Sequence, residues 1–224
     1  MRIVVRIGGS VVASPINPEL INKYANTIKT IKQQGHEIIV VTGGGQLARD
    51  FIAIAKSLSL EMQAQDEIAI SVSRLFAQLF QKKLGDQACS KIALTLDDAA
   101  EYIKAKKILF MGGLKPGITT DAVAALVAER VNAELLLKGT DQEGIYDKDP
   151  RNHKDAKKLD NISFENLQSV LSETTHKAGM HQIIDPEAVK ILKRNRVKLL
   201  VVNGFKPENL LLALKGENVG TTVN

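Results

Sequence analysis

Three glycine-rich loops, each placed directly after a run of Val, Ile and Leu, constrain this 224-residue chain more than any other feature. Gly8-Gly9-Ser10 follows the apolar run Arg2–Ile7, and Gly43-Gly44-Gly45 follows Ile38-Ile39-Val40-Val41. The third loop, Gly112–Asp121, follows Lys107–Met111. Runs this rich in β-branched and leucine residues suit strands covered on both faces, which points to a mainly parallel sheet. In such sheets ligands bind outside the carboxyl ends of the strands. Glycine lets backbone amides come close to an oxyanion, and a helix that follows adds its positive N-terminal end. Three such loops at three strand ends predict a polyanionic ligand.

Helical spacing fills the intervals. Leu20, Ile21, Tyr24, Ile28 and Ile31 lie on one face of a helix spanning about 17–34, and Leu47, Phe51, Ile54, Ala55 and Leu58 on another. Further helices are expected over 65–84, 96–104 and 121–132, then from Ser163, from Pro186 to Arg194, and after Pro207. Strands are expected at 88–93, 134–138 and 197–202, with 139–161 irregular. Strand and helix alternate from end to end, and no low-complexity stretch or linker interrupts them. The expectation is one α/β domain over residues 1–224.

Composition narrows the partners. With one cysteine, Cys89, no intramolecular disulfide can form, and a reducing, cytoplasmic compartment is expected. MRIVVRIGG is too short an apolar run for a signal peptide and reads as a strand, and no run approaches the ~18 apolar residues of a membrane span. The net charge is +5, but aromatics make up only 4% and no basic–aromatic interleaving suits base stacking, so nucleic acid is not an expected partner. The basic run Arg151–Lys158 reads as a solvated loop.

Other chemistries find little support. The GxxxxGK[ST] loop is missing. Gly43-x-Gly45-x-x-Ala48 matches a relaxed dinucleotide fingerprint, but Glu61 and Asp66, near the spacing where an acidic strand end is needed, sit in helical sequence. A nicotinamide oxidoreductase is the weaker reading. His176 and His181 are five apart with no third ligand, so no metal site is assigned, and Cys89 reads as a small buried residue. No Gly-x-Ser-x-Gly elbow is present.

With these motifs in order, the chain resembles the amino acid kinase family, and within it the archaeal type of uridylate kinase. The resemblance runs through IGGSV, VTGGGQLAR, MGGLKPGITTDAVAALVAE, GTDQEGIYDKDP, IIDPEAVKIL and NVGTTV, so it covers essentially the whole length. It implies a three-layer αβα sandwich around a mainly parallel, eight-stranded sheet. It also implies ATP with its Mg²⁺ and UMP as substrates, and a homohexamer. An acceptor lobe over about 1–130 and an ATP lobe over about 131–224 would follow. By the matching motifs, Arg6, Ile7, Gly8, Gly9 and Ser10 would surround the ATP phosphates. Gly44 would contact UMP, with Gly45 and Arg49 between the phosphates of the two nucleotides. Asp66 would hold the UMP ribose, and Leu114, Lys115, Pro116, Gly117, Ile118, Thr119 and Thr120 would enclose UMP. Thr140, Tyr146 and Asp149 would hold the base and ribose of ATP. The catalytic set would be Arg6, Arg49, Asp121 and Asp185, the last either orienting the catalytic cations or simply capping the helix after Pro186. This chain departs from the family at Arg6, where Lys is frequent, at Leu114, where Thr is usual, and at Phe76, where archaeal members often carry Asn. The last two bear on uracil recognition. A kinase for another phosphate or carboxylate acceptor, and a non-catalytic nucleotide or oxyanion binder, are the rival readings.

Overall fold

The computed structural model describes residues 1–175 and 183–224; His176 and His181 lie outside them. The first strand, β1 (Arg2–Ile7), leads into the one-turn α1 (Gly9–Val12) and then α2 (Pro18–Gln33). After β2 (Glu37–Thr42) come α3 (Gly45–Ser57) and the long α4 (Met62–Leu84). Next in the chain are α5 (Leu96–Tyr102), β3 (Leu109–Met111), α6 (Thr120–Arg130) and β4 (Leu135–Thr140). Short pieces follow: β5 (Ile145–Tyr146), β6 (Lys158–Leu159) and β7 (Asn161–Ile162). The chain continues with α7 (Phe164–Thr175), α8 (Pro186–Asn195), β8 (Lys198–Asn203), α9 (Glu208–Leu214) and β9 (Gly220–Val223).

Among the described residues the main sheet has seven strands in the order β3-β2-β1-β4-β8-β9-β7, with β5 and β6 paired separately. All neighbours in it are parallel except β8 and β9. Alternation along β1 divides the core in two. Ile3, Val5 and Ile7 pack with residues of α2, α4 and α9 on one face, and Val4 packs with α5, α6, α7 and α8 on the other. The result is the expected three layers.

The sheet is one strand smaller than expected because Ala88–Ala93 is not continuous. It bridges β3 only through Ala88 to Ile108 and Ala93 to Met111. Gln81 on α4 takes the carbonyls of Cys89 and Ser90 through Nε2, at 3.0 and 2.7 Å, which removes them from the ladder.

From β1 the chain winds outward through β2 to β3 on one side, and β4 and β8 lie on the other. The reversal falls between β1 and β4, where parallel α/β sheets open a crevice at their carboxyl ends. Gly8 and Gly139, joined by a 3.0 Å N–H to carbonyl bond, sit at that point.

Candidate active site

Register places two cations side by side. Arg6 on β1 is the cross-strand partner of Lys138 on β4, so both side chains leave the same face near the carboxyl end of the sheet. Like charges directly opposite each other repel. Asp121, in the first turn of α6, lies between them. Its Oδ1 is 2.7 Å from Arg6 Nε, and its Oδ2 pairs with Lys138 Nζ. The three side chains are only 13%, 11% and 5% exposed for Arg6, Asp121 and Lys138, so solvent screens them little. Burial alone would raise the Asp121 carboxyl, but Lys138 and then Arg6 outweigh it and hold it at about 2. Burial pushes the Lys138 ammonium down to about 8, with Asp121 opposing and Arg6 assisting.

Above this triad lies a cavity of about 720 Å³. The first two glycine loops line it, and with them Ser14, Thr120, Thr140, Gln142, Ile183 and Phe205. Four cations, Arg6, Arg49, Lys138 and Arg151, face it against two carboxylates, Asp121 and Asp141. The helices that start at the glycine loops, α1 and α3, have a glycine at the N-cap and so no cap from that residue, whereas α2, α5, α6 and α8 are capped by the side chain of theirs. First-turn amides have no intrahelical acceptor, and apart from that of Gln46, which goes to Ser14 Oγ at 2.7 Å, those of α1 and α3 lie beside an excess of positive charge. That arrangement suits a polyphosphate.

A second cavity, of about 140 Å³, adjoins the first, and both include Gly44 and Thr120 in their walls. It is lined by Asp66, Ala69, Ile70 and Ser73 of α4 and by Gly113, Lys115 and Ile118 of the third loop. Asp66 Oδ2 accepts the Gly117 amide at 2.8 Å, which ties that loop to α4. Arg6 reaches across with an η-nitrogen donating to Thr120 Oγ1 at 2.8 Å, so one cation touches the wall common to both spaces.

The structure therefore gathers most of the expected residues. Arg6, Gly8, Gly9, Ser10, Gly45, Arg49, Asp121 and Thr140 line the larger cavity, and Gly44, Asp66, Lys115, Ile118 and Thr120 the smaller. Ile7, Tyr146 and Asp149 line neither. Ile7 is buried beneath the first loop, and Asp149 accepts the Arg151 amide at 2.9 Å and so shapes the turn that carries Arg151. In the third loop, Leu114 packs against the core and Pro116 is half-buried. Thr119 caps α6 by accepting the Ala122 amide at 3.1 Å.

Asp185 caps α8, accepting the Glu187 amide at 2.8 Å, and also accepts from the Thr119 hydroxyl. Its own N–H donates to Asp121 Oδ2 at 3.3 Å. The cap is thus joined to the triad.

Lys138 was not among the sequence candidates, although a lone charge closing the run Leu135-Leu136-Leu137 was a readable signal, since charges are seldom buried unpaired. Arg151, Asp141, Gln142 and Phe205 also line the larger cavity without having been singled out as site residues.

Residues 1–203 match the amino acid kinase family. The chain belongs to the amino acid kinase family. Among relatives in that family, the uridylate kinase of Methanocaldococcus jannaschii is 42% identical over 225 residues, covering 100% of this chain and 99% of that protein. The uridylate kinase of Methanobrevibacter smithii is 37% identical, covering 100% and 99%. The crystal structure of uridylate kinase from Archaeoglobus fulgidus superposes with a TM-score of 0.91 at 37% identity, each chain fully covered.

Proposed function

We propose that this chain is a UMP kinase, which transfers the γ-phosphoryl group of Mg²⁺·ATP to the phosphate of UMP and yields UDP and ADP. The observation that supports it best is the pair of adjoining cavities: a large cationic one suited to a triphosphate, next to a small one bounded by Asp66 and the third loop. Full-length relatives named uridylate kinase point the same way.

A phosphate monoester has a second pKa near ~6, so the acceptor oxygen is already anionic at neutral pH and needs no general base. The chemistry then asks for alignment and for positive charge around the transferring group. Arg6, Lys138 and Arg49 supply the charge, while Asp121 holds the first two at fixed positions. The amides of the first and second glycine loops hold the phosphates. Mg²⁺, arriving with ATP, would neutralise phosphate charge. Asp185 orients the triad through its bond to Asp121. Tyr146 and Asp149 belong to the segment that carries Arg151 and would hold the base and ribose of ATP at the mouth of the larger cavity.

Every residue lining the smaller cavity lies between positions 44 and 120, and the larger cavity draws on both ends of the chain. This supports an acceptor lobe over about 1–130 and an ATP lobe over about 131–224 within a single domain. The working form is a cytoplasmic homohexamer. Exposed apolar side chains support self-association: Phe51 and Ile54 on α3, Leu58 just after it, and Met62, Leu75 and Leu79 on α4 are 44 to 78% exposed. Exposed apolar patches mark interfaces. Among the described residues no helix is long and apolar enough to cross a membrane.

The test is ADP release from Mg²⁺·ATP with UMP, CMP, dTMP, AMP, acetylglutamate and isopentenyl phosphate in parallel. Turnover confined to UMP is expected. Preference for another acceptor would overturn the UMP assignment, and ATP binding with no turnover on any of the six would favour the non-catalytic reading.

A further inference from the structure

Arg74 lies outside both cavities, yet every bond it makes among the described residues goes to a main-chain carbonyl. Nε donates to Gly113 O at 3.0 Å, and one η-nitrogen donates to Leu114 O at 3.0 Å and Leu94 O at 3.4 Å. Its neighbour Ser73 accepts the Gly113 amide on Oγ at 2.7 Å. Consecutive residues of α4 thus hold both polar groups of Gly113. The loop is pressed onto the helix there, since a Cβ on Gly112 would lie 2.6 Å from Arg74 N.

A trans peptide directs its C=O and its N–H to opposite sides. With the Gly113 and Leu114 carbonyls drawn to Arg74, the N–H groups of Leu114 and Lys115 are turned away from it. Neither amide has a protein acceptor among the described residues, and Gly113 and Lys115 both line the smaller cavity. The Leu114 side chain is packed against the core, so its main chain is what it offers a ligand.

We propose that Arg74 is a positioning residue for base recognition: it orients the Leu114 and Lys115 amides toward ring carbonyl oxygens of a pyrimidine nucleotide acceptor. This rests on the UMP kinase reading and gives Leu114 a role in base recognition that needs no hydroxyl.

The experiment compares wild type with Arg74→Lys and Arg74→Gln, following KM for UMP and for ATP, kcat, and inhibition by ribose 5-phosphate, which has no base. Bonds to a charged donor are worth enough that KM for UMP should rise about tenfold or more in Arg74→Gln. KM for ATP, kcat and the ribose 5-phosphate inhibition constant should stay within about twofold, the pattern of lost ground-state binding at one end of one substrate. Arg74→Lys should recover part of the loss, because an ammonium can still reach a carbonyl but lacks the fork. An unmoved KM for UMP in both variants would overturn the inference alone. So would equal weakening of UMP and ribose 5-phosphate, which would mean a generally loosened loop. Wild-type protein inactive with UMP would overturn the kinase reading, and this inference with it.

Discussion

Gly9 and Gly45 meet backbone to backbone. A Cβ on Gly9 would fall 2.2 Å from the Gly45 nitrogen, and one on Gly45 would fall 2.1 Å from the Gly9 carbonyl oxygen. The first two glycine loops are therefore packed against each other as well as around a ligand. Gly45 also has φ +58°, where side chains are strained. Overpacking at a contact with no flexible side chain to yield costs about 1–3 kcal/mol. Gly9→Ala and Gly45→Ala should each lose at least that in denaturant unfolding, and most of their turnover. A variant with wild-type stability and activity would show that the loops separate easily.

The Arg6–Asp121–Lys138 triad makes stability and activity respond differently to pH. The folded-state pKa of Asp121, about 2, is below its ordinary 3.8, so its contribution is present above about pH 4 and lost as the pH falls toward 2. Lys138 is lowered from 10.5 to about 8, so the unfolded chain binds that proton more tightly, and folding gains as pH rises from about 8 toward 10.5. The cation needed by the phosphates disappears over the same range. The expected result is an alkaline fall in kcat/KM for ATP near pH 8, which reports the free enzyme, without a parallel fall in the denaturation midpoint. Both falling together would indicate unfolding instead.

How much of this could be read in the sequence depends on what each residue depends on. Glycine loops, caps and the Asp121 helix start are local features, and each was found where expected. Lys138 depends on a partner 17 positions away, and Arg74 on carbonyls 39 and 40 positions away, and neither distance leaves a periodic mark. The third loop shows the limit most clearly. Its Gly112 and Gly113 resemble an oxyanion cradle, but the structure uses them to bring the chain flush onto α4, with the Gly113 amide already taken by Ser73. The short strands β5, β6 and β7 have two residues each, too few for alternation to show.

Arg49 is exposed on α3, where Gln46 Oε1 accepts from its Nε at 3.1 Å and from an η-nitrogen at 2.9 Å. The guanidinium is held at the cavity by a neighbour on its own helix. Arg49→Ala should lower kcat by about a hundredfold, the usual size for loss of one preorganised group facing developing charge. Near-normal turnover would remove it from the catalytic set. Gln46→Ala, which frees the arginine without deleting it, should cost far less.

The exposed apolar side chains around α3 and α4 predict how the assembly comes apart. Phe51→Glu combined with Leu58→Glu places charge on a surface that a second copy would cover. Light scattering should report a smaller species than wild type, with secondary structure intact by circular dichroism. An unchanged mass would move the interface elsewhere.

The wall of Gly44 and Thr120 between the two cavities has a stereochemical consequence. With ATP in the larger cavity and UMP in the smaller, as proposed, the two phosphates would meet at this shared edge, where Arg6 engages the Thr120 hydroxyl at 2.8 Å, and direct transfer would displace the phosphorus once. Its configuration should invert, as followed with a γ-phosphorothioate made chiral by oxygen isotopes. Retention would require two displacements and a phosphorylated protein. Nor should labelled ADP exchange into ATP until an acceptor is added.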